Sequence, residues 1–290
     1  MRPSIVFCLS CALLLAACSR PPEARHYELK GQIIGIATDR TQANIKHGDI
    51  PGLMPAMTMP YRVKETKLLD GIVPGDLITA TLIVESNDAY LTDLKKVGSA
   101  PLEDAPEAPP SAAPDLARLK TGDAVPDAHF VDQDGRKVDF STFKGKAVVL
   151  TFIYTSCPLP TFCPLMDRHF ATLQGRFKND PALKDRVRLV TITFDPATDT
   201  PAVLKKHAEG LHADFKTWTF LTGNRDDIDR FGASFGLVVT RAENDPRDIT
   251  HTLRTAIVDA DGKLVKVYTG NEWTPEQVLT DLKPVATRSH

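Results

Sequence analysis

Two different hydrophobic rhythms divide the chain. In the first hundred residues, short β-rich runs recur at Tyr27–Ile36, Gln42–His47, Met57–Val63, Asp76–Glu85 and Tyr90–Val97, separated by turn formers such as Gly52, Pro74-Gly75 and Asn87-Asp88. Five short strands in so little chain predict a small closed or nearly closed barrel, because closure removes sticky sheet edges. After Leu116 the rhythm changes. Ala147–Thr155 and Val187–Phe194 are continuous apolar runs, as expected of strands buried on both faces. Helical spacing follows in Cys163–Phe177, with Phe170, Leu173 and Phe177 on one side, in Pro201–Glu209 behind a Thr200 cap, and in Arg225–Phe235. Trp218–Leu221 reads as a short strand, Phe130–Phe140 as a leading hairpin around Asp134-Gly135, and Thr252–Asp259 pairs with Lys263–Thr269 through Asp261-Gly262. Thr274-Pro275 opens a last helix that runs through Leu282.

Composition separates the two halves. Ser99–Asp115 has five prolines and no apolar period, so it cannot bury a core and reads as a semi-extended spacer. The expected organisation is a signal at 1–17, a barrel at 25–98, a Pro/Ala-rich linker at 99–115 and an α/β domain at 116–283. The order of strands and helices in the last is that of a thioredoxin-like domain, so the fold class is multidomain: a small all-β OB-like barrel followed by an α/β thioredoxin-like unit. The formal net charge of −2 leaves no global basic field for a nucleic-acid backbone, so no nucleic-acid partner is expected. No phosphate-cradling glycine loop, paired-carboxylate site or serine nucleophile elbow stands out.

The five cysteines change the picture by where they sit. Met1-Arg2-Pro3 followed by Ile5-Val6-Phe7 and Leu13-Leu14-Leu15 has the charged and apolar regions of an export signal. Its end, Leu15-Ala16-Ala17-Cys18, resembles the bacterial lipobox. That resemblance implies lipidation at Cys18 and a membrane partner through the lipid anchor, in the bacterial cell envelope and facing the periplasm. Cys8 and Cys11 leave with such a signal. Cys157 and Cys163 are then the remaining thiols in an oxidising compartment, where a pair is a disulfide, a redox couple or a metal site.

Two motifs carry chemistry. Three of the five methionines fall at Met54, Met57 and Met59, downstream of His47. On a strand, Met57 and Met59 project to the same face. Thioethers beside an imidazole suit Cu(I) or Ag(I) far better than zinc or calcium, although methionine is most often flexible core filler. The second motif, Cys157-Pro158-Leu159-Pro160-Thr161-Phe162-Cys163-Pro164, joins a buried strand to a helix. A thiol at a helix N-terminus is expected to have a lowered pKa. Two such thiols can form a disulfide, cycle as a redox pair or grip a soft metal. His26, His129, His169, His207, His212 and His290 lack convincing partners in sequence and are assigned to surface or packing. Met166 reads as helix core.

On these residues two resemblances stand. Met54-Pro55-Ala56-Met57-Thr58-Met59 with His47 upstream is similar to the periplasmic Cu(I)/Ag(I)-binding OB barrels related to CusF. It implies that His47, Met57 and Met59 bind the metal. Met54 stands where the family's best-known form has a tryptophan, and is a further candidate ligand. The stretch Leu116–Leu282 resembles the Sco/SenC family of copper chaperones through Phe152–Pro158, Cys163-Pro164, Thr193–Pro201 and the histidine before Ile257–Lys263. It implies that Cys157, Cys163 and His251 bind one copper and that the cysteines cycle to a disulfide. The family's usual spacing leaves three residues between the cysteines, whereas this chain has five, Pro158 to Phe162. Asp195 and Asp199 resemble family positions and are expected to shape a loop and cap a helix.

The expected function is therefore membrane-anchored copper delivery, with copper as cargo. By resemblance the client is cytochrome c oxidase subunit II or another copper protein, and a thiol–disulfide reductant is a further partner. A thiol–disulfide oxidoreductase acting on a copper protein's cysteines is the alternative, and copper buffering or tolerance a third.

Overall fold

The computed structural model describes residues 24–102, 118–241 and 249–286. The signal at 1–17, the Cys18 lipidation site and residues 103–115 of the expected linker lie outside the described residues.

The first unit is built from β1 (Arg25–Ile36), β2 (Gln42–His47), β3 (Met57–Arg62), β4 (Asp76–Val84) and β5 (Ala89–Ser99), all antiparallel neighbours in the order β3-β2-β1-β4-β5. The ends of this row curl toward each other, since Val63 bridges Leu91 in parallel and Lys64 N–H donates to the Leu91 carbonyl at 3.0 Å. Buried positions recur every second residue in β2 and along much of β4, so one face forms the interior with Leu29, Ile33, Ile45, Ile78 and Leu82. One glycine is essential to this packing. A Cβ on Gly31 would lie 2.6 Å from both the Ile45 side chain and the Lys46 carbonyl, so only glycine lets β1 approach β2 beside His47.

The second unit holds β6 (His129–Asp132), β7 (Lys137–Asp139), β8 (Ala147–Ile153), α1 (Cys163–Asn179), β9 (Val187–Thr193), α2 (Pro201–Gly210), β10 (Trp218–Thr222) and α3 (Arg225–Ser234), followed by β11 (Val239–Arg241), β12 (Ile249–His251), β13 (Arg254–Val258), β14 (Leu264–Thr269) and α4 (Pro275–Ala286). Seven strands form one sheet in the order β14-β13-β8-β9-β10-β6-β7, with β8, β9 and β10 parallel and the outer strands antiparallel. Every side chain of β8 is buried, which explains its unbroken apolar sequence. On one face α1, α2 and α4 pack Phe170, Phe177, Leu204 and Leu282 against Trp218 and Phe220. On the other, α3 packs Ile228, Phe231 and Phe235 against Phe152 and Phe130.

The expected hairpin at Asp261-Gly262 forms, with Gly262 at φ +80° and the Asp259 carboxylate accepting from Asp261 and Lys263 N–H. Thr200 caps α2 through its hydroxyl, which accepts from Val203 N–H. The sequence pattern had no sign of the two-stranded ribbon β11–β12, in which Val239 faces His251. His251 therefore sits on its own short strand rather than in the lead-in to β13. Arg241 anchors that ribbon by ion-pairing with Asp229 of α3 at 2.8 Å and donating to the Phe194 carbonyl at the end of β9.

Candidate metal centre

The second unit's centre forms where β8 ends and α1 begins, at the carboxyl end of the parallel strands, where open α/β sheets leave a crevice. Asp199 shapes its floor. This carboxylate, fully buried, accepts Thr155 N–H at 3.0 Å and the hydroxyls of Thr155 and Thr193 at 2.5 Å each. It thus ties the ends of β8 and β9 together two residues before Cys157.

Cys157 and Cys163 are both free thiols. They lie side by side, and the Cys163 thiol, by hydrogen bonding, pulls Cys157 below the usual thiol range against the opposing effect of burial. Burial, with the neighbouring Cys157 next, pushes Cys163 well up. This inverts the expectation for a thiol on a helix N-terminus. Cys163 opens α1 yet is 1% exposed, and loss of solvation outweighs the aligned peptide dipoles there. The half-buried Cys157 is the thiolate-forming member.

His251 stands at the same crevice, edge-on to Tyr154 at 5.6 Å and against Phe194 at 4.5 Å between ring centroids. Its Nδ1 lies 3.2 Å from the Thr252 carbonyl. A carbonyl only accepts, so Nδ1 carries the proton and Nε2 holds the lone pair. Burial holds this imidazole down to about 4. It is a neutral, ligand-ready nitrogen.

The barrel supplies the other donors. His47 pairs in register with Met57, and Ile45 with Met59, so all four side chains share one face. His47 Nδ1 donates to the Gly48 carbonyl at 2.6 Å, the arrangement that orients metal-binding imidazoles elsewhere. Its ring meets Tyr61 edge-on at 5.6 Å, and the Tyr61 hydroxyl donates to the Met54 sulfur at 3.6 Å. Met54 is 6% exposed and belongs to the barrel core as well as to this sulfur cluster.

The two donor groups face each other. Met54, Met57 and Met59 line the same cavity as Tyr154, Cys157 and His251. Cys163 lies beneath it in the core, and His47 lines a separate open cleft with Lys30, Gly31 and Gly48. Among the described residues, no three His, Cys, Asp or Glu side chains are grouped closely enough to hold an ion by themselves. Cys157, Cys163 and His251 are therefore two adjacent thiols plus an imidazole that shares Cys157's cavity, not an assembled trio. The donor set of three thioethers, a thiol and a neutral imidazole is soft to borderline, which fits Cu(I) and not a hard cation.

The SCO1/SenC family profile matches residues 118–287, the whole α/β unit with these cysteines and His251. The chain belongs to the SCO1/SenC family. A second profile, that of the copper binding periplasmic protein CusF, matches residues 26–96, the barrel. The SCO1 protein homolog of Bacillus subtilis strain 168 is 35% identical over 161 residues, covering 54% of this chain and 80% of that protein. Among solved structures, a SCO1/SenC family lipoprotein from Bacillus anthracis str. Ames is 30% identical with a TM-score of 0.50, over 60% of this chain and 98% of that one. BsSco, a member of the Sco family of cytochrome c oxidase assembly proteins in which a disulfide switch has been identified, is 31% identical with a TM-score of 0.50, over 59% and 99% respectively.

Several residues of the SCO1/SenC unit do work that its sequence did not announce. Tyr154 walls the cavity between His251 and the thiols, and Leu159, inside the inter-cysteine loop, is buried among barrel residues. Two histidines assigned to surface or packing have acidic partners. His207 Nε2 lies 3.0 Å from the Asp167 carboxylate, and His129 Nδ1 lies 2.6 Å from Asp139. Burial pulls His207 down, but the Asp167 carboxylate more than offsets it and the net shift is upward. Met166 is fully buried core as expected, with the Thr255 hydroxyl donating to its sulfur at 3.9 Å. Among the described residues no helix is long and apolar enough to cross a membrane.

Proposed function

We propose that this chain is a copper chaperone of the bacterial cell envelope, which binds Cu(I) as cargo and hands it on during assembly of cytochrome c oxidase. The observation that carries the reading is the gathering of soft donors: free Cys157 and Cys163 side by side, with His251 and three thioethers around one cavity. Cys157, Cys163 and His251 form the ligand set of the SCO1/SenC unit. His47, Met57 and Met59, with Met54, form that of the CusF-like barrel. Both imidazoles are held in the tautomer that leaves Nε2 for a metal. The client is subunit II of the oxidase, and a thiol–disulfide reductant keeps the cysteine pair open. Cys18 carries the lipid that holds the protein at the membrane, facing the periplasm, and the linker at 99–115 tethers the two units. Transfer from thioethers toward a thiolate is downhill for Cu(I).

Anaerobic Cu(I) titration of the reduced full chain, followed by mixing with metal-free subunit II, tests the reading. Copper is expected on the client after separation, and its delivery is expected to be lost in Cys157→Ser/Cys163→Ser. A cysteine variant that delivers as much copper as the parent sinks the chaperone role of the second unit. Copper bound but never passed on supports buffering instead. A second reading, thiol–disulfide exchange on the client's cysteines, is favoured by the lowered pKa of Cys157 beside a buried partner thiol. Turnover of a disulfide substrate without copper distinguishes it.

A further inference from the structure

Barrel and α/β unit meet through the segment in which this chain departs from the usual family spacing. Leu159, second in the five-residue loop between the cysteines, is 3% exposed and packs with the barrel core. Cys157 and Phe162, at either side of it, touch the hydrophobic clusters of both units. Arg168, one turn into α1, donates to the loop's Pro160 carbonyl at 2.8 Å and to the barrel's Asn87 carbonyl at 3.4 Å. Far from the loop, Gln42 of β2 donates to Glu272 at 2.6 Å. A three-residue loop has no spare residues to reach outward. Five residues, with prolines first and third, make a bulge, and Leu159 between those prolines is its apolar contact.

This dock closes the methionine edge of the barrel over Cys157 and His251. The cavity between them, partly open to solvent, is about 40 Å³, room for one bare ion and a water or two. We propose that the two units form one mixed-donor chamber in which a single Cu(I) is shared between Met57 and Met59 of the barrel and Cys157 and His251 of the second unit, with the lengthened inter-cysteine loop, through Leu159, as the element that seals it. The proposal rests on the copper reading above and adds how cargo crosses between units. Bonds from copper to the two thioether sulfurs break as bonds to Cys157 Sγ and a His251 ring nitrogen form. The Cys157 thiol releases one proton to bulk water, and copper stays Cu(I), so neither oxidant nor reductant is consumed. The ion passes between two donor sets that line one cavity.

The test uses the reduced, selenomethionine-labelled full chain loaded anaerobically with one equivalent of Cu(I) and read by copper K-edge EXAFS. A selenium shell and a thiolate sulfur shell are expected together. The selenium shell is expected to vanish both in Met57→Leu/Met59→Leu and in Leu159→Asp, which leaves every donor in place but opens the dock. Arg168→Ala, remote from both cores, gives the same opening in case Leu159→Asp fails to fold, and release of copper to excess bathocuproine disulfonate should then quicken about a hundredfold, as expected when two tethered donor sets stop acting jointly. Sulfur without selenium in the parent overturns the chamber while leaving copper binding by the cysteines intact. Selenium undiminished in the dock variants overturns it too, since the barrel then binds copper alone. No copper bound at all removes the underlying copper reading as well.

Discussion

Replacing Asp199 should separate shape from charge at the floor of the cysteine crevice. Its buried carboxylate accepts three hydrogen bonds, from Thr155 N–H at 3.0 Å and from the Thr155 and Thr193 hydroxyls at 2.5 Å. In Asp199→Ala the two hydroxyls can rotate toward other acceptors, but the half-buried Thr155 N–H loses its carboxylate partner. Hydrogen bonds to a charged acceptor contribute ~1.5–3 kcal/mol each, and they do not add fully in one network, so the loss is about 3–5 kcal/mol. For a domain of this size that lowers the melting temperature by roughly 10 °C. Asp199→Asn keeps one oxygen for Thr155 N–H and the Thr193 hydroxyl, while its amide donates to the Thr155 hydroxyl. It forfeits mainly the charge assistance, about 1 kcal/mol or ~3 °C. Calorimetry of the metal-free reduced chain measures both variants, and thiol alkylation reports whether Cys157, two residues beyond Thr155, has lost its position. An alanine variant that melts within about 3 °C of the parent, or an asparagine variant that falls as far as alanine, would refute the reasoning.

Iodoacetamide at neutral pH should label Cys157 first and Cys163 at least about tenfold more slowly, as read by peptide mass mapping; equal rates would contradict the inverted order of the pair. Because burial holds His251 down to about 4, the unfolded chain takes up a proton below ~6.5 that the folded chain refuses, so stability is full above that pH and declines as pH falls toward 4. The unfolding free energy of the metal-free chain, from urea titrations, should fall by up to about 3 kcal/mol over that window in the parent and less in His251→Gln, and parallel profiles would count against it. Gly31→Ala should force β1 away from β2 at a cost of ~1–3 kcal/mol, seen as faster hydrogen exchange in Gly31–His47; unchanged exchange would mean that the neighbouring strand gives way without penalty.

The strands of the barrel were legible because they are short β-rich runs bounded by turn formers, with inside and outside alternating in β2 and much of β4. The buried strands β8 and β9 were legible for the opposite reason, having no outside. What sequence could not show is what depends on distance in space. The ribbon carrying His251 is three residues per strand, too short to have a period. Asp167, the partner of His207, stands 40 residues earlier on another helix. Cys163 looked like a thiol activated by its helix, and became the less acidic one because the fold closes over it. The methionine cluster and the cysteine pair stood out by type and spacing, His251 only through the family resemblance, and Leu159 not at all, because an apolar residue between prolines says nothing about which surface it meets.

The dock also has a place in time. The barrel completes its strand order within residues 25–99, whereas the contacts that close its methionine edge come from Cys157, Leu159 and Ile249–His251, and the Gln42–Glu272 bond spans 230 positions. Contacts so distant in sequence form late, after local units have folded. Synthesised N-terminus first, the chain thus presents an open barrel before Cys157 or Cys163 can compete for copper, and the lid arrives only once residues as far as His251 and Glu272 have been made. Capture and handover would then be ordered by the direction of synthesis itself.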